Sequence, residues 1–431
     1  MAGLQCSGLA NRLSVENLGC ENGMCASSST QIAWKLSKTA FNRSFLMLLL
    51  TFEGFSPAAL SCYGSSWNRT ETMDALAASG TTWDRVITST TDPLAQLDRW
   101  LSAPNPAFEG LSLVTDDERL AERSSMDRVS ELIHVPNREA MVADSIEETT
   151  LAALAAVASE QLVAGRDVWL HSRFLTRCWD APRYLFPIDF FDDLDDGPLD
   201  PSETIEEEMR SHGQPVAPQS EHVAAILEGW QPPNCTIANE DDPDWIMAWM
   251  RTYGCQIRLI DAVVQLLCDV SADRINDPVV IAGTSGFALG QNNAIGHRSG
   301  AIRSCHLHVP FLVGHRQQED PTASSPDWAM GVRNRNVMTA DQIGNILTQS
   351  DDNFVQPDAW AATQEDQSVI TDHAGTRIAA TTDRWFYVAN PSDELTVDGS
   401  LYLKPDDACD INDVARLRPE TADTMQAWLT D

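Results

Sequence analysis

A chain of 431 residues, of which 43% are hydrophobic, is long enough for one large α/β domain with a smaller appendage or for two ordinary domains. Its formal net charge of −34 argues against nucleic acid and anionic membranes as partners, because a field of that sign repels both. The longest apolar run, at residues 45–52, is too short to span a bilayer and is typical of a buried strand.

The first 44 residues predict little structure and form a poorly defined N-terminal extension. They lack the basic stretch followed directly by an apolar one that directs secretion, and the ten cysteines contain no C-x-x-C pair. The spacings typical of zinc ribbons and of disulfide frameworks are therefore missing from the sequence. We expect free thiols in a reducing, cytoplasmic compartment.

Strand and helix patterns alternate from residue 45 onward. The predicted elements are, in chain order, strand 45–52, a short helix after Thr70, strand 81–89, helix 146–163, strand 167–172, helix 243–269, strand 279–283, helix 340–349, three short strands between 376 and 404, and a final helix from Pro419. Helix-to-strand crossovers imply a mostly parallel sheet covered on both faces, and the antiparallel tail implies a smaller subdomain. We predict an α/β domain over 45–355 and a C-terminal α+β subdomain over 356–431.

An acidic, proline-punctuated stretch at 189–208 nearly matches a calcium-binding loop. Asp192, Asp196 and Glu203 fall at the first, fifth and twelfth positions of that loop, but Leu194 stands where its third ligand is required. We therefore interpret the stretch as a solvated acidic surface loop.

The ends of three predicted strands direct attention to one edge of the sheet. In open α/β sheets the reactive groups lie at the carboxyl ends of the strands, which here are followed by Glu53, Thr91 and the Thr284-Ser285 pair. Ser285 stands in Gly-Thr-Ser-Gly directly after a buried strand, where a hydrolase nucleophile would stand. The nucleophile elbow requires G-x-S-x-G, however, and Phe287 occupies the position of the last glycine.

Blocks spread over residues 45–431 resemble, in the same order, those of the sulfatases of the alkaline-phosphatase superfamily. The segments that carry this resemblance are EGFSPAALSCYGSSWNRTETMDALAASGTTWDR, IRLIDAVVQLL, VVIAGTSGFALG with CHLHVPFLV, ADQIGNILTQ and LYLKPDDACDINDVARLRPE. The resemblance implies an α/β/α sandwich with a mostly parallel central sheet and a small C-terminal α+β subdomain.

The chemical positions of the resemblance are altered in this chain. Active sulfatases carry C-x-P-S-R, whose first residue becomes formylglycine; the nearest counterpart here is TDPLA, with Thr91 at the nucleophile position and Ala95 in place of the arginine. The family's strand-end Asp pair corresponds to Glu53-Gly54, and its Asp-His pair corresponds to Thr284-Ser285. Only one carboxylate of the implied metal-binding set is kept. We therefore expect no resident cofactor, and we expect calcium to bind with a dissociation constant in the millimolar range or weaker.

Four histidines near the same predicted rim offer a different kind of metal site. They are His297, His306, His308 and His315. His306 and His308 alternate with a leucine on a predicted strand, so their rings should point to one side. The other interpretation is that these are rim histidines hydrogen-bonded to backbone or water.

Two functions remain open on the sequence. The first is a sulfatase-like protein that has lost sulfate-ester hydrolysis and keeps its scaffold for binding, for regulation, or for pairing with an active relative or a second copy of itself. The alternative is an active hydrolase of sulfate or phosphate esters that uses Thr91 or a histidine-based metal site. In both cases the expected ligand is a sulfated or phosphorylated small molecule or glycan.

Overall fold

Residues 43–431 form one compact unit. The computed structural model describes residues 48–102, 108, 110–138, 140–186, 221–238, 241, 244–271, 277–298, 301–315, 331–347, 368–389 and 399–430. The predicted N-terminal extension and the acidic stretch at 189–208 lie outside the described residues.

An eight-stranded sheet forms the centre of this unit, in the order β11-β2-β10-β7-β1-β5-β3-β4. Its strands are β1 (Leu48–Phe52), β2 (Thr81–Ile87), β3 (Leu111–Thr115), β4 (Glu131–His134), β5 (Asp167–Ser172), β7 (Val279–Gly283), β10 (His308–Gly314) and β11 (Val332–Thr339). Seven of these strands share one direction, and β10 runs antiparallel to both of its neighbours, β2 and β7. The carboxyl ends of the seven strands therefore share one edge of the sheet.

Helices cover both faces of the sheet. They are α1 (Glu71–Ala78), α2 (Pro93–Ser102), α3 (Thr150–Val163), α4 (Phe174–Arg177), α5 (Glu221–Glu228), α6 (Asp244–Val270), α7 (Ser304–Leu307), α8 (Asp341–Leu347) and α9 (Pro419–Thr430). Leu48, Leu50 and Phe52 of β1 pack with the layer of α1, α3 and α6, whereas Leu49 packs with that of α2 and α8. This alternation is what a strand buried between two helical layers requires.

Two smaller sheets complete the described fold. Strands β6 (Cys235–Thr236), β8 (Ala288–Leu289) and β9 (Ala294–Gly296) form one, and β12 (Val369–His373), β13 (Thr376–Thr381), β14 (Trp385–Val388) and β15 (Ser400–Leu403) form an antiparallel sheet. Met425 of α9 packs against Tyr387 and Leu401 of this second sheet. A bridge between Thr90 and Asp372 connects it to the loop that follows β2.

The predicted fold class is confirmed, because a large, mostly parallel sheet is followed by a C-terminal antiparallel sheet. The predicted helices at 146–163 and 243–269 correspond to α3 and α6. The sequence analysis does not predict β3 and β4, which extend the sheet beyond β5. Within the described ranges, no helix is both long and apolar enough to cross a bilayer.

Candidate functional site

Of the three predicted strand-end residues, Glu53 and Thr284 lie side by side at one edge of the sheet, whereas Thr91 follows β2, three strands away from β1. Strands β1 and β7 pair in parallel, and the amide of Thr284 donates to the carbonyl of Phe52 at 3.0 Å. On the other side of β1, the amide of Glu53 donates to the carbonyl of Ser172 at the end of β5 at 3.0 Å. Three neighbouring strand ends therefore hold this edge together.

The loop that carries Ser285 is fixed to the turn after β1. The Ser285 hydroxyl accepts a hydrogen bond from the amide of Gly54 at 2.9 Å, and the Ser285 carbonyl accepts one from the amide of Phe55 at 2.8 Å. Gly54 has a φ of +76°, and a Cβ atom there would lie 2.6 Å from Cγ2 of Thr176, so the turn requires glycine. The Ser285 side chain thus holds a turn in place, and the described structure gives its hydroxyl no histidine base.

Glu53 is held by an arginine that the sequence analysis does not identify. Nη2 of Arg119 lies 2.5 Å from Oε2 of Glu53 and 2.7 Å from Oδ2 of Asp117, while Arg119 Nε donates to Oδ1 of Asp117 at 2.8 Å. The other oxygen of Glu53 accepts from the Thr176 hydroxyl at 3.0 Å. Both carboxylates are almost completely buried, at 2% exposure for Glu53 and 0% for Asp117.

The ion pairing keeps Asp117 and Arg119 charged. Burial opposes ionisation of Asp117, but the hydrogen bonds and the charge of Arg119 lower the pKa of Asp117 below its usual value. Burial likewise works against the charge of Arg119, yet Asp117 and Glu53 raise the pKa of the guanidinium further than burial lowers it. The result is a permanent cation enclosed by two carboxylates.

Asp116 lies beside this cluster, and its pKa is shifted in the opposite direction from that of Asp117. Burial raises its pKa to about 6, although the carboxylate accepts from the Ser172 hydroxyl and from the amide of Arg173, both at 3.0 Å. Burial therefore moves the pKa of Asp116 towards neutral pH.

His171, on β5, is a fully buried neutral ring. The Thr51 hydroxyl accepts a hydrogen bond from Nε1 of Trp169 at 2.8 Å and lies 2.8 Å from Nδ1 of His171. Burial lowers the pKa of His171 to about 4, even though the charges of Asp117 and Glu53 act in the opposite direction.

The residues at the edge do not fit a divalent cation. Both oxygens of Glu53 and both of Asp117 are already used, and the Thr284 and Ser285 hydroxyls carry no charge to repay dehydration of a hard ion. No group of three or more His, Cys, Asp or Glu side chains in the described part of the chain has the arrangement of a metal site. The cation that contacts both of these carboxylates is the guanidinium of Arg119.

Thr91 is positioned by the C-terminal sheet. Its amide donates to the carbonyl of Asp372 at 3.0 Å, and its hydroxyl is 2.7 Å from Nδ1 of His373, at the end of β12. Ala95 lies on the following helix, α2, and the arginine of that helix, Arg99, pairs with Asp372. Thr91 thus has a histidine partner that lies 282 positions away in the sequence.

The predicted rim histidines separate into two groups. His297 and His306 line a cavity of about 580 Å³ together with Thr91 and Ser285, whereas Glu53 and Thr284 do not line it. His308 donates through Nε2 to the carbonyl of Asp84 at 2.8 Å. The rings of His306 and His308 do not share a side, because residues 304–307 form the helical turn α7 and the strand begins at His308.

The prediction that His315 lies on the same rim is wrong. Because β10 is antiparallel to β7, its last residue, Gly314, pairs with Val279 at the start of β7. His315 follows Gly314 and therefore lies at the opposite edge of the sheet, where its amide donates to the Ser79 hydroxyl at 3.2 Å. His315 is therefore separated from the other three histidines.

Solved structures with the same arrangement of strands and helices are sulfatases and a related hydrolase. A protein solved in complex with its substrate D-glucosamine-2-N,6-O-disulfate matches over 90% of this chain and 96% of its own, at 10% identity and a TM-score of 0.56. The phosphonate monoester hydrolase of Agrobacterium radiobacter matches over 90% and 95%, at 13% identity and a TM-score of 0.55. A 2-O GAG sulfatase matches over 90% and 91%, at 11% identity and a TM-score of 0.51.

The chain has the sulfatase fold. No protein-family model and no curated protein sequence matches it, so the likeness rests on the structure. At 10–13% identity this likeness establishes the architecture of the sulfatase fold in this chain, and the chemistry has to be argued from its own residues.

Sequence analysis misses four residues of this edge: Asp116, Asp117, Arg119 and His373. A signal for the two aspartates is present, because the apolar run LSLV is followed by Thr-Asp-Asp and thus delivers carboxylates to a strand end. His373 has no comparable signal. Its pairing with Thr91 depends on how the C-terminal sheet docks beside β2.

Proposed function

We propose that this protein uses the sulfatase fold to bind an oxyanionic ligand and does not hydrolyse sulfate esters through a divalent cation. The observation that supports the proposal is the ion pairing of Arg119 with Glu53 and Asp117. A guanidinium supplies a fixed positive charge, but unlike a metal ion it cannot lower the pKa of a bound hydroxyl by coordination.

Other residues at the chemical positions of the sulfatase resemblance also argue against metal-dependent hydrolysis. Ala95 removes the arginine that would stabilise charge in the transition state, and Thr284 and Ser285 replace charged or imidazole ligands. The Thr91 hydroxyl lies outside the Arg119 cluster and contacts His373 instead. A regulatory role, or pairing with an active relative, would use the same non-hydrolysing scaffold.

Calcium titration of the wild type and of Arg119→Met tests the proposal. The wild-type melting curve should be the same with millimolar calcium and with EDTA, and 4-nitrophenyl sulfate should not be turned over above background. Arg119→Met keeps the side-chain volume but leaves Glu53 without its ion-pair partner and Asp117 with only the Arg173 guanidinium at 3.6 Å, which should cost about 3 kcal/mol of unfolding free energy. Calcium should then restore stability in this variant, because the freed carboxylates can bind it.

The double variant Arg119→Met with Glu53→Gln is the matched control. Removing one of the freed carboxylates should reduce the calcium response. A wild-type protein that calcium stabilises would contradict the proposal, since a ligand at a hundred times its Kd adds about 2.7 kcal/mol. Calcium-dependent release of 4-nitrophenol by the wild type would contradict it as well.

The contact between Thr91 and His373 supports a second candidate function, hydrolysis of a phosphate or sulfate ester without a metal. A hydroxyl within hydrogen-bond distance of an imidazole is the arrangement of an activated nucleophile. Nδ1 of His373 would accept the Thr91 proton while Oγ1 forms a bond to phosphorus or sulfur and the bond to the ester oxygen breaks. The proton would pass to the leaving oxygen, and water would then cleave the threonine ester, releasing phosphate or sulfate and restoring the Thr91 hydroxyl. Thr91 is partly buried and His373 is exposed, so both are accessible from the cavity that they line.

Substitution of Thr91 separates the second candidate from the first. If Thr91 is a nucleophile, Thr91→Ser should retain turnover of aryl phosphate, phosphonate or sulfate esters. Thr91→Val, which is nearly isosteric but lacks the hydroxyl, should then abolish turnover, and His373→Gln should reduce it by about a hundredfold or more. No turnover by the wild type, or turnover that persists in Thr91→Val, would exclude the Thr91 mechanism.

A further inference from the structure

The cavity beside the strand edge has an unusual charge pattern for this protein. Its volume is about 580 Å³, within the range of small-molecule sites. Its lining includes two arginines and three histidines but no Asp or Glu side chain, although the whole chain has 63 acidic and 29 basic residues. The basic residues are Arg298, Arg303, His297, His306 and His373.

His306 presents a buried hydrogen-bond donor to this cavity. The amide of Arg303 donates to Nδ1 of His306 at 3.1 Å, so Nδ1 is the unprotonated nitrogen and the neutral ring carries its proton on Nε2. Nε2 has no hydrogen-bond partner among the described residues, and the His306 residue is only 4% exposed. A buried donor without an acceptor is costly, and an oxygen atom of a ligand would remove that cost.

The positive charge of the cavity comes from its arginines. Burial lowers the pKa of His306 to about 4 and also lowers the pKa of His297, so both rings are neutral at pH 7. No carboxylate in the described ranges forms an ion pair with Arg298 or Arg303. The guanidinium of Arg303 instead bonds to the hydroxyl of Tyr402 and lies 5.7 Å from the centre of its ring.

Apart from Thr91, Ser285 and Thr376, which carry hydroxyl groups, the rest of the cavity wall is apolar. It is formed by Ala301, Ile302, Ala374, Ile378, Val388 and Ala389. These side chains offer no hydrogen-bond partners, whereas a glycan needs many of them to compensate for the desolvation of its hydroxyl groups. A compact hydrocarbon body fits this wall better.

We propose that the cavity binds an oxyanion carried on a compact apolar body, such as an aromatic or branched aliphatic carboxylate or sulfonate. The ligand's oxygen accepts from Nε2 of His306, Arg298 and Arg303 supply the opposite charge, and its hydrocarbon part packs on Ile302, Ile378 and Val388. This inference rests on the proposed binding function and names the ligand class for it.

Isothermal titration calorimetry with matched probes tests the inference. 2-Naphthoate and naphthalene-2-sulfonate carry the anion and the apolar body, 2-naphthol lacks the anion, and inorganic sulfate and glucosamine-6-sulfate lack the apolar body. We expect both naphthyl anions to bind at least about tenfold more tightly than each of the other three probes. Equal binding of 2-naphthol, tighter binding of glucosamine-6-sulfate, or no binding of the naphthyl anions would overturn the inference.

Variants assign the binding to this cavity. Arg298→Gln and His306→Leu should each weaken 2-naphthoate about tenfold. Ala301→Trp places a large ring into the cavity from an exposed position and should abolish binding in a protein that still folds. Arg335→Gln, an exposed arginine of β11 that does not line the cavity, carries the same charge change as Arg298→Gln and should leave affinity unchanged. Unchanged affinity in Ala301→Trp would overturn the assignment.

The result also separates this inference from the proposed function. Calcium-dependent turnover of 4-nitrophenyl sulfate would defeat the proposed function, whatever the naphthyl anions do. Binding of sulfated sugars without turnover would defeat the ligand class and leave the non-hydrolysing function standing.

Discussion

Asp116 directly follows β3 and His171 lies on the neighbouring strand β5, and the two residues make opposite contributions to the pH dependence of stability. Burial raises the pKa of Asp116 from 3.8 to about 6, so the folded protein holds a proton that the unfolded chain releases, and stability falls as pH rises through that window. Burial lowers the pKa of His171 from 6.5 to about 4. Between pH 6.5 and 4, His171 is therefore protonated in the unfolded chain but not in the folded protein, and stability falls as the pH drops through this range.

Single substitutions should expose these two cancelling contributions between pH 4 and 6. In this window His171→Gln should shift the slope of unfolding free energy against pH by up to about 1.4 kcal/mol per pH unit, towards greater stability at low pH. Asp116→Asn should shift the slope by a similar amount in the opposite direction. Urea unfolding at a series of pH values measures both slopes.

The double variant His171→Gln with Asp116→Asn provides the internal control. Because each substitution removes one of two opposing contributions, the double variant should return to nearly the wild-type slope. Shifts of the same sign in the two single variants would contradict the assignment of these groups.

Individual residues of the site differ in how far the sequence predicts them. Glu53 and Thr284 are predictable, because each directly follows an apolar run that can only be a buried strand of a parallel sheet. Arg119 is not predictable from the sequence. It lies four residues after the end of β3, and its long side chain extends past β5 to contact Glu53 after β1. Its role is decided by charge compensation in the folded state, which leaves no spacing pattern in the sequence.

The long helix α6 fixes the turn at the edge of β1 through one side chain. The hydroxyl of Tyr253 accepts from the amide of Ser56 at 2.9 Å and donates to the carbonyl of Gly54 at 2.8 Å, and the ring is completely buried. It also stacks on Phe287, with ring centres 4.8 Å apart. A helix from one layer thereby holds both the Glu53 turn and the Ser285 loop.

Tyr253→Phe should destabilise the protein by about 1–3 kcal/mol, because it leaves the buried amide of Ser56 without an acceptor while keeping the aromatic packing. Tyr184→Phe is the matched control. Tyr184 is 62% exposed, and its substitution should change the unfolding free energy by less than about 0.5 kcal/mol. Equal effects of the two substitutions in urea unfolding would show that the Tyr253 hydroxyl does not hold the turn.

The elements that sequence analysis predicts best are those with a clear period. Helix α6 presents a continuous buried stripe over 27 residues, and β1 and β7 are unbroken apolar runs, so each has one interpretation. The segment at His306 is different. Its alternating pattern predicts a strand, but Gly286, whose amide donates to the carbonyl of His306 at 2.9 Å, packs so closely that a Cβ there would lie 2.1 Å from the carbonyl of Cys305. Tertiary packing thus overrides the local pattern and produces α7.

At the scale of the whole molecule, the excess of negative charge opposes folding. A net charge of −34 on 431 residues produces repulsion that is stronger in the compact state than in the expanded chain. The Debye length falls from about 10 Å at 0.1 M salt to about 3 Å at 1 M, so salt screens this repulsion. The ion pairs of the Arg119 cluster are largely buried, and salt weakens them much less.

We therefore expect sodium chloride to stabilise the protein near neutral pH. Raising its concentration from about 0.05 M to about 1 M should increase the Tm by at least a few degrees in calorimetry at pH 7. The same titration at pH 4.4, the isoelectric point of the sequence, is the control, because the net charge there is close to zero. The increase should largely disappear at that pH, where attractive pairs are screened as much as repulsive ones. An equal rise of the Tm at both pH values would mean that salt acts on the hydration of the protein surface rather than on its charge.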